Sequence, residues 1–398
     1  MSASSTTGHA VPEQVDVLQR RAFALGAAGL IASLIGALVS PTQFFHSYLF
    51  AFLFWNGIAI GCLSLLMIQH LTGGRWGLAI RRLLEAGTRT VPVLMLLFLP
   101  VVVGIKRIYP WAGSEQSDAT IRHAIALKHA YLNVPFFLGR AAFYFAVWFL
   151  LAHFLNRVSL ETDAGMDLRR ERMMRSISGG GLLLMGLTIT FMSMDWAMSL
   201  DPRWFSTIYG MLFMIGTALS ALALCIVVIT RIMGTGPLSV VANADTLHDL
   251  GKLMLAFIMV WAYFSYSQFL IIWSGNLPEE IPWYLRRFHG AWRFIGLFLV
   301  VFHFAVPFLI LLSRDVKRRA RTVGLVALWI LAVRAVDLFW LVRPEFPQTG
   351  FAVHWLDLTL AVGLGGVWLG VFARQLKTRP LLPLGEPEVR QMLAEAGA

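Results

Sequence analysis

Ten apolar runs, each about as long as a bilayer is thick, dominate this sequence. A helix needs ~20 mostly apolar residues to cross the hydrocarbon core. With 58% hydrophobic and 14% charged residues, the 398-residue chain is too apolar for a soluble globular protein. We therefore predict an all-α fold, a polytopic membrane protein with about ten transmembrane helices. The predicted spans are residues 22–40, 44–68, 90–108, 133–155, 178–200, 207–230, 250–273, 291–312, 323–341 and 354–373.

The segments between these runs are too short to form further domains. The two longest, 109–132 and 156–177, cannot bury a core of their own. We expect one transmembrane domain, 22–373, between an N-terminal tail, 1–21, and a C-terminal tail, 374–398. The N-terminal tail lacks the basic flank, short apolar core and cleavage site of a secretory signal, so we expect it to be retained.

The distribution of Lys and Arg predicts the orientation. Ten spans place both tails on one side, and 21 of the 33 Lys and Arg residues lie in the loops and tails of that side, against 8 on the other. Positive residues favour the cytoplasmic side, so we expect both termini in the cytoplasm. The same bias explains the net charge of +11 without nucleic-acid binding.

A carboxylate, Asp195, lies in the fifth run. In hydrocarbon it costs ~2.5–3.5 kcal/mol even on lenient insertion scales, so it needs a partner, water or a proton. Thr188, Met192 and Ser199 share its helical face. Two interpretations stay open. Asp195 either forms a structural ion pair with an arginine such as Arg140 or Arg334, or it carries protons or contacts a ligand.

Charged pairs three residues apart occur in the last two runs, Arg334 with Asp337 and His354 with Asp357. Residues at this spacing are neighbours on a helix surface. Together with Asp195, we expect them to form a polar cluster toward the outer side. A histidine beside a carboxylate can transfer protons near neutral pH. The alternative is that His354 only contacts interfacial water.

A second set of polar residues points to the inner side. In the seventh run, Lys252, Tyr263 and Tyr266 share one face, which is typical of a proton entrance or of a lysine that snorkels to the head groups. His303 is a further carrier across an apolar gap, so two unconnected half-channels fit as well as one path. The hypothetical proton carriers are Asp195, His248, Asp249, Lys252, Tyr263, Tyr266, His303, Asp337, His354 and Asp357.

We expect the chain itself to bind no metal or cofactor. Cys62 and Cys225 lie inside apolar runs and have no metal-ligand spacing. His289 and His303 are fourteen residues apart, but no second span offers the matching pair that a bis-histidine haem needs. The sequence also contains no glycine-rich phosphate loop and no nucleophile motif.

Five motifs occur in an order that resembles a known family. They are MSMDWAMSLDPRWFSTIYG (192–210), LHDLGK (247–252), WAYFSYSQ (261–268), WSGNLPEE (273–280) and PFLILLSR (307–314). On these motifs the chain resembles the NrfD-like (polysulfide reductase membrane subunit) family, and within it the ActF-type membrane subunit of bacterial alternative complex III. The resemblance covers about residues 180–320.

The resemblance implies two four-helix bundles plus two further helices in a bacterial inner membrane. It implies a subunit of a quinol:cytochrome c oxidoreductase that supports quinol or menaquinol oxidation and proton conduction. A sister NrfD-like subunit, an iron–sulfur protein and c-type cytochrome subunits would be partners, with the iron–sulfur clusters and haems in those partners and the sister as the expected quinol oxidiser. A secondary transporter and a purely structural anchor stay open as alternatives. The matching motif positions are Asp195, Asp201, His248, Asp249, Lys252, Tyr263 and Gln268.

Overall fold

The computed structural model describes residues 13–113, 118–163, 165, 167–234, 236–346 and 353–396. These residues are largely helical, with no strand among them, and ten helical segments are long and apolar enough to cross a membrane. The predicted all-α polytopic fold is therefore confirmed. Spans 1 to 10 are Glu13–Val39, Pro41–Thr72, Arg75–Val103, Val134–Thr162, Leu168–Leu200, Tyr209–Ile232, Ala244–Gly275, Trp292–Leu312, Ala320–Glu345 and Trp355–Leu376. Shorter helices are Ile105–Ile108, Ala119–Lys128, Leu238–Val241, Ile281–Phe288, Arg314–Arg318 and Pro387–Glu395.

Several spans begin earlier than hydropathy predicts. Span 1 begins at Glu13, inside the segment predicted as a tail, and span 3 begins at Arg75 instead of residue 90. Their first turns are rich in charged residues, so an apolar window overlooks them. Side-chain caps define other starts, since Asn133 accepts a hydrogen bond from the Phe136 amide and Asp167 accepts one from the Arg170 amide.

Some spans are not regular helices throughout. Span 8 contains a π-helix, Val300–Ala305, directly before Pro307. Proline has no amide hydrogen, so the His303 carbonyl loses its usual partner four residues on, and the helix widens there. The segments of the interrupted spans are Arg75–Thr88, Val91–Leu97 and Leu99–Val103 in span 3, Leu168–Trp196 and Met198–Leu200 in span 5, Trp292–Leu299, Val300–Ala305 and Val306–Leu312 in span 8, and Ala320–Val342 and Arg343–Glu345 in span 9.

Spans 2 and 6 form the centre of the molecule. In their most apolar stretches 83% and 89% of the residues are buried, and the two spans pack against each other. Spans 2 to 5 make up a first bundle, and spans 6 to 9 make up a second. Spans 1 and 10 pack on each other and on span 2. The arrangement is the one expected, two four-helix bundles plus two further helices.

Glycine allows spans 1 and 10 to approach backbone to backbone. A Cβ atom on Gly366 would lie 2.3 Å from the amide nitrogen of Gly26, and one on Gly29 would lie 2.7 Å from that of Gly363. Small residues at such crossings are typical of membrane helices, where close van der Waals packing replaces the hydrophobic effect.

We call the end of the array where span 1 begins and span 10 ends the terminal face, and the other end the opposite face. The segment after span 10 folds back across the terminal face. Lys377 Nζ lies 2.5 Å from Asp16 Oδ1, and Arg379 Nη1 lies 3.1 Å from Glu85 Oε2. The described part of the predicted C-terminal tail is thus packed against the helices.

Candidate functional site

Asp195 is fully buried in span 5, toward the opposite face. Arg140 of span 4 binds both of its oxygens, with Nε 2.8 Å from Oδ2 and Nη2 2.9 Å from Oδ1. Tyr144, one turn along span 4, donates its hydroxyl to Oδ2 at 2.6 Å. The Arg140 guanidinium lies 3.8 Å from the centroid of the Tyr131 ring. Of the two arginines considered, Arg140 and not Arg334 contacts this carboxylate.

The rest of the polar face of span 5 also points into the first bundle. Thr188 and Ser199 are buried, and each is bound by an indole: Trp148 donates to Thr188 Oγ1 at 3.0 Å, and Trp111 donates to Ser199 Oγ at 3.1 Å. Met192 is buried on the same face. The helical face that these residues share with Asp195 is therefore packed against span 4 and the turn at Trp111.

A second buried carboxylate, Asp337, lies in the second bundle. Arg334, one turn earlier in span 9, forms an ion pair with it, and Trp261 of span 7 donates to Oδ2 at 3.2 Å. The His303 ring packs 3.8 Å from the Trp261 ring, centroid to centroid, and is fully buried. Neither ring nitrogen of His303 has a hydrogen-bond partner among the described residues. We call these four side chains the Asp337 site.

A cleft of about 710 Å³ opens beside Asp337, between spans 7, 8 and 9 and the helix Ile281–Phe288. Its volume lies in the range of small-molecule pockets. Besides Asp337, the polar groups in its wall include the buried amide of Gln268 and the Trp340 indole N–H, which has no partner among the described residues. The wall is otherwise mainly apolar and includes Trp261, Phe269, Phe288, Leu299, Phe304 and Leu341.

The predicted polar residues of span 7 lie on its outer side, and two of them, Tyr263 and Tyr266, also line the cleft beside Asp337. Tyr263 and Tyr266 are 66% and 62% exposed, and the Lys252 side chain is exposed and paired with Asp249 at 3.1 Å. His248 is half-buried beside Asp249. Helical periodicity shows which residues share a face but not where that face points. The structure thus brings the two tyrosines, but not Lys252, to the cleft beside Asp337.

His354 and Asp357 form a helix cap at the start of span 10. Asp357 Oδ2 accepts from the His354 amide at 2.9 Å, and His354 Nδ1 accepts from the Leu356 amide at 3.3 Å. Ser47 of span 2 donates to Asp357 Oδ1 at 2.5 Å. Asp195, Asp337 and Asp357 thus each have their own partners among the described residues, in place of the single cluster we expected. A shared depth does not bring side chains together when their helices stand apart laterally.

The motif residue Asp201 connects loops at the opposite face. Arg203 Nε lies 3.0 Å from Oδ1, and Arg286 Nη2 lies 2.7 Å from Oδ2. Arg286 also pairs with Glu345 at 2.9 Å, which ties in the end of span 9. Burial alone would raise the pKa of Asp201, but the hydrogen bonds and charges of Arg203 and Arg286 outweigh it. The pKa of this carboxyl therefore lies below its usual value.

The lowered pKa predicts a pH-dependent stability. Asp201→Asn should lower the free energy of unfolding by about 1.5–3 kcal/mol at pH 7, the range for hydrogen bonds to charged groups. A lowered pKa stabilises the fold above the unfolded-state pKa of about 3.9, and this stabilisation is lost as pH falls through the folded-state value. Thermal unfolding of the wild type and the variant should show the same difference at pH 7 and pH 5 and a smaller difference at pH 3. Asp249→Asn is the control, because the Asp249 side chain is exposed. If the stability difference between the wild type and Asp201→Asn did not depend on pH, the role given to the Asp201 carboxylate would be contradicted.

No known family model matches this chain, and no curated protein is significantly similar to it in sequence. The expected resemblance to NrfD-like proteins therefore has only the five motifs in its support.

Sequence reasoning missed a buried ionic cluster at the terminal face. Glu85 of span 3 is fully buried, with Arg82 Nη1 at 2.6 Å, Arg81 Nε at 3.4 Å and Arg379 Nη1 at 3.1 Å. Ser159 donates to Glu85 Oε1 at 2.5 Å. The sequence-based orientation treats these arginines as loop charges. The signal was the spacing of Arg81, Arg82 and Glu85, which permits ion pairs within one helix.

Proposed function

We propose that this chain is a membrane subunit of a quinol:cytochrome c oxidoreductase in a bacterial inner membrane, with both termini in the cytoplasm. In this proposal the chain binds quinol in the cleft beside Asp337 and accepts its protons. The observation that carries the proposal is that a mainly apolar cleft of about 710 Å³, built from three spans, reaches a buried carboxylate.

The cleft suits an amphipathic ring with an apolar tail. Aromatic rings of Trp261, Phe269 and Phe288 supply flat apolar surface, while the Gln268 amide and the Asp337 carboxylate supply polar contacts. A carboxylate within reach of a quinol hydroxyl can accept its proton. Arg334 and Trp261 hold Asp337 in place and stabilise its negative charge.

Oxidation of one quinol releases two protons and two electrons. The Asp337 carboxylate would accept these protons one at a time, losing the first to water before it accepts the second. The electrons would pass to the clusters of an iron–sulfur protein and to the haems of c-type cytochrome subunits. A sister NrfD-like membrane subunit would be a further partner. The five motifs support this assignment of partners. Asp195, held by Arg140 and Tyr144, is a second buried carboxylate for proton transfer in the first bundle.

Filling the cleft tests the proposal without disturbing the ion pair. A Cβ atom on Gly296 would first meet the Trp340 ring at 3.7 Å, an ordinary contact, so Gly296→Leu should fold and occupy the cleft. Binding of a short-chain quinone can be followed by the quenching of tryptophan fluorescence. We expect the affinity measured in this way to fall by about tenfold or more, which corresponds to roughly 1.4 kcal/mol of binding free energy. Asp337→Asn should lower quinol:cytochrome c turnover of the assembled complex about 10²-fold, the lower end for a lost general base.

Gly186→Leu is the matched control, because a Cβ atom there meets nothing within 4 Å. It should leave both the quenching and the turnover unchanged. Assembled Gly296→Leu and Asp337→Asn complexes with wild-type quinone quenching and wild-type turnover would rule out quinol binding in this cleft.

A further inference from the structure

A polar pocket of about 340 Å³ lies at the terminal face, between the first bundle and the C-terminal segment. The end of span 2 supplies Gln69 and His70, span 3 supplies Arg81, and Glu386 covers the other side. We call it the His70 pocket. The His70 pocket is separate from the cleft beside Asp337, and its chemistry differs because charged and amide groups line it.

Two buried polar side chains in this pocket each have one atom without a hydrogen-bond partner among the described residues. His70 is 8% exposed, and its Nδ1 lies 3.2 Å from Ser178 Oγ, whereas its Nε2 has no partner among the described residues. Gln69 is 4% exposed, and its Oε1 likewise has none. Buried polar atoms of native proteins are almost always hydrogen-bonded, if not to protein then to water. The pocket therefore has both the room and the chemistry to hold water.

The same face of span 2 carries a further unpartnered polar group. Asn56 is 1% exposed, and neither atom of its amide has a partner among the described residues. Asn56 lies fourteen residues before His70. In an α-helix this spacing places both residues on nearly the same face, ~21 Å apart along the axis. A second position without hydrogen-bond partners in the described part of the chain thus lies ~21 Å further along span 2 from the His70 pocket.

The C-terminal segment closes the pocket from outside. Glu386 forms an ion pair with Arg81, and Arg379 donates to Glu85 at 3.1 Å and to Asn156 at 3.2 Å. The backbone fits tightly here, because a Cβ atom on Gly385 would lie 1.6 Å from the Thr162 carbonyl oxygen. Any side chain at position 385 must therefore push the segment away from the first bundle.

We propose that the His70 pocket is a water-filled proton-uptake site of the first bundle, and that residues 377–388 form its cover. His70 is the proton carrier, with Ser178 on its second ring nitrogen. The charged groups that face it from the surrounding elements are Arg81, Glu85, Glu171, Arg175, Glu386 and Glu388. The inference rests on the proton-handling part of the proposed function but not on quinol binding.

Proton flux across liposomes that hold the purified full-length chain tests this site. A potassium gradient with valinomycin drives the flux, and an enclosed pH dye reports it. The wild type should be slow, because the cover is closed. Gly385→Ala should raise the flux about tenfold, as local opening exposes the pocket. The double variant Gly385→Ala with His70→Leu should return to the wild-type rate.

A second measurement follows the cover directly. Modification of His70 by diethylpyrocarbonate, measured by peptide mass spectrometry, should be slow in the wild type and about tenfold faster in Gly385→Ala and in the milder Glu386→Gln. His248, on the same face, is the internal control and should react at one rate throughout. If Gly385→Ala speeds the modification of His70 but not the proton flux, the uptake site is ruled out. It is also ruled out if the double variant Gly385→Ala with His70→Leu keeps the raised proton flux. Unchanged modification in both variants would overturn the cover.

The two proposals fail separately. Loss of quinone binding in the Asp337 cleft would leave the flux result intact, since that assay contains no quinol. Wild-type flux in Gly385→Ala with His70 exposed would remove the uptake site and leave quinol binding untouched.

Discussion

Replacing Asp195 by alanine is expected to lower the free energy of unfolding by about 3–5 kcal/mol, the range for removing one partner of a buried ion pair. Asp195 is fully buried, and the Arg140 side chain is 10% exposed. The variant would leave a guanidinium within the first bundle without its two charged hydrogen bonds, and the Tyr144 hydroxyl without its acceptor. Thermal unfolding of the purified chain in detergent measures the change.

The control removes both charges together. Asp195→Leu combined with Arg140→Met should recover most of the lost stability, because apolar replacement of a buried pair is often neutral. A double variant as unstable as Asp195→Ala would show that packing rather than the unpaired charge causes the loss. A change below about 1 kcal/mol in Asp195→Ala, the size of an exposed pair, would contradict the role given to the pair.

Glu85→Ala is expected to have the larger effect, at least about 5 kcal/mol, since the carboxylate is fully buried and several arginines share it. Its removal leaves Arg81, Arg82 and Arg379 facing one another, with Glu386 and Asp163, among the described residues, at the edge of the cluster as counter-charges. A loss of this size is a large part of the free energy of unfolding of a typical domain. We expect little folded protein, measured as the monodisperse yield in size-exclusion chromatography.

Glu161→Ala is the matched control for Glu85→Ala. Glu161 also pairs with an arginine, Arg157, but the side chains are 47% and 67% exposed. Exposed pairs contribute at most about 1 kcal/mol, so this variant should accumulate like the wild type. Arg379→Gln should fall between the two, because it removes one charge of the cluster and weakens the hold of the C-terminal segment. Equal yields for Glu85→Ala and Glu161→Ala would contradict the buried cluster.

The ten spans were predictable because hydropathy is a local property that a window of ~20 residues captures. The ends were less so, as span 3 shows: its first turns carry Arg81, Arg82 and Glu85, which a window interprets as a loop. The ion pair of Arg334 with Asp337 was also predictable, since both residues lie on one helix three positions apart.

Contacts between helices were not predictable in the same way. Arg140 and Arg334 were equal partners for Asp195 on the sequence, and only the packing of span 4 against span 5 brings Arg140 to it. Tyr263 and Tyr266 share a face as expected, but only the packing of spans 7, 8 and 9 makes that face part of the wall of the cleft beside Asp337. The sequence around Gln69 and His70 does not indicate a pocket, because the other wall of that pocket is formed by the returning C-terminal segment.

The sequence by itself determined an all-α membrane protein of ten spans and the polar residues that those spans carry. The tertiary structure decided which carboxylates are paired, which polar faces are buried and where the cleft and the pocket lie. The physical reason is that transfer into a bilayer depends on each helix by itself, whereas an ion pair or a cavity depends on the rotation and lateral position of several helices at once. Within the membrane those are set by van der Waals packing and hydrogen bonds between helices, which a hydropathy pattern does not encode.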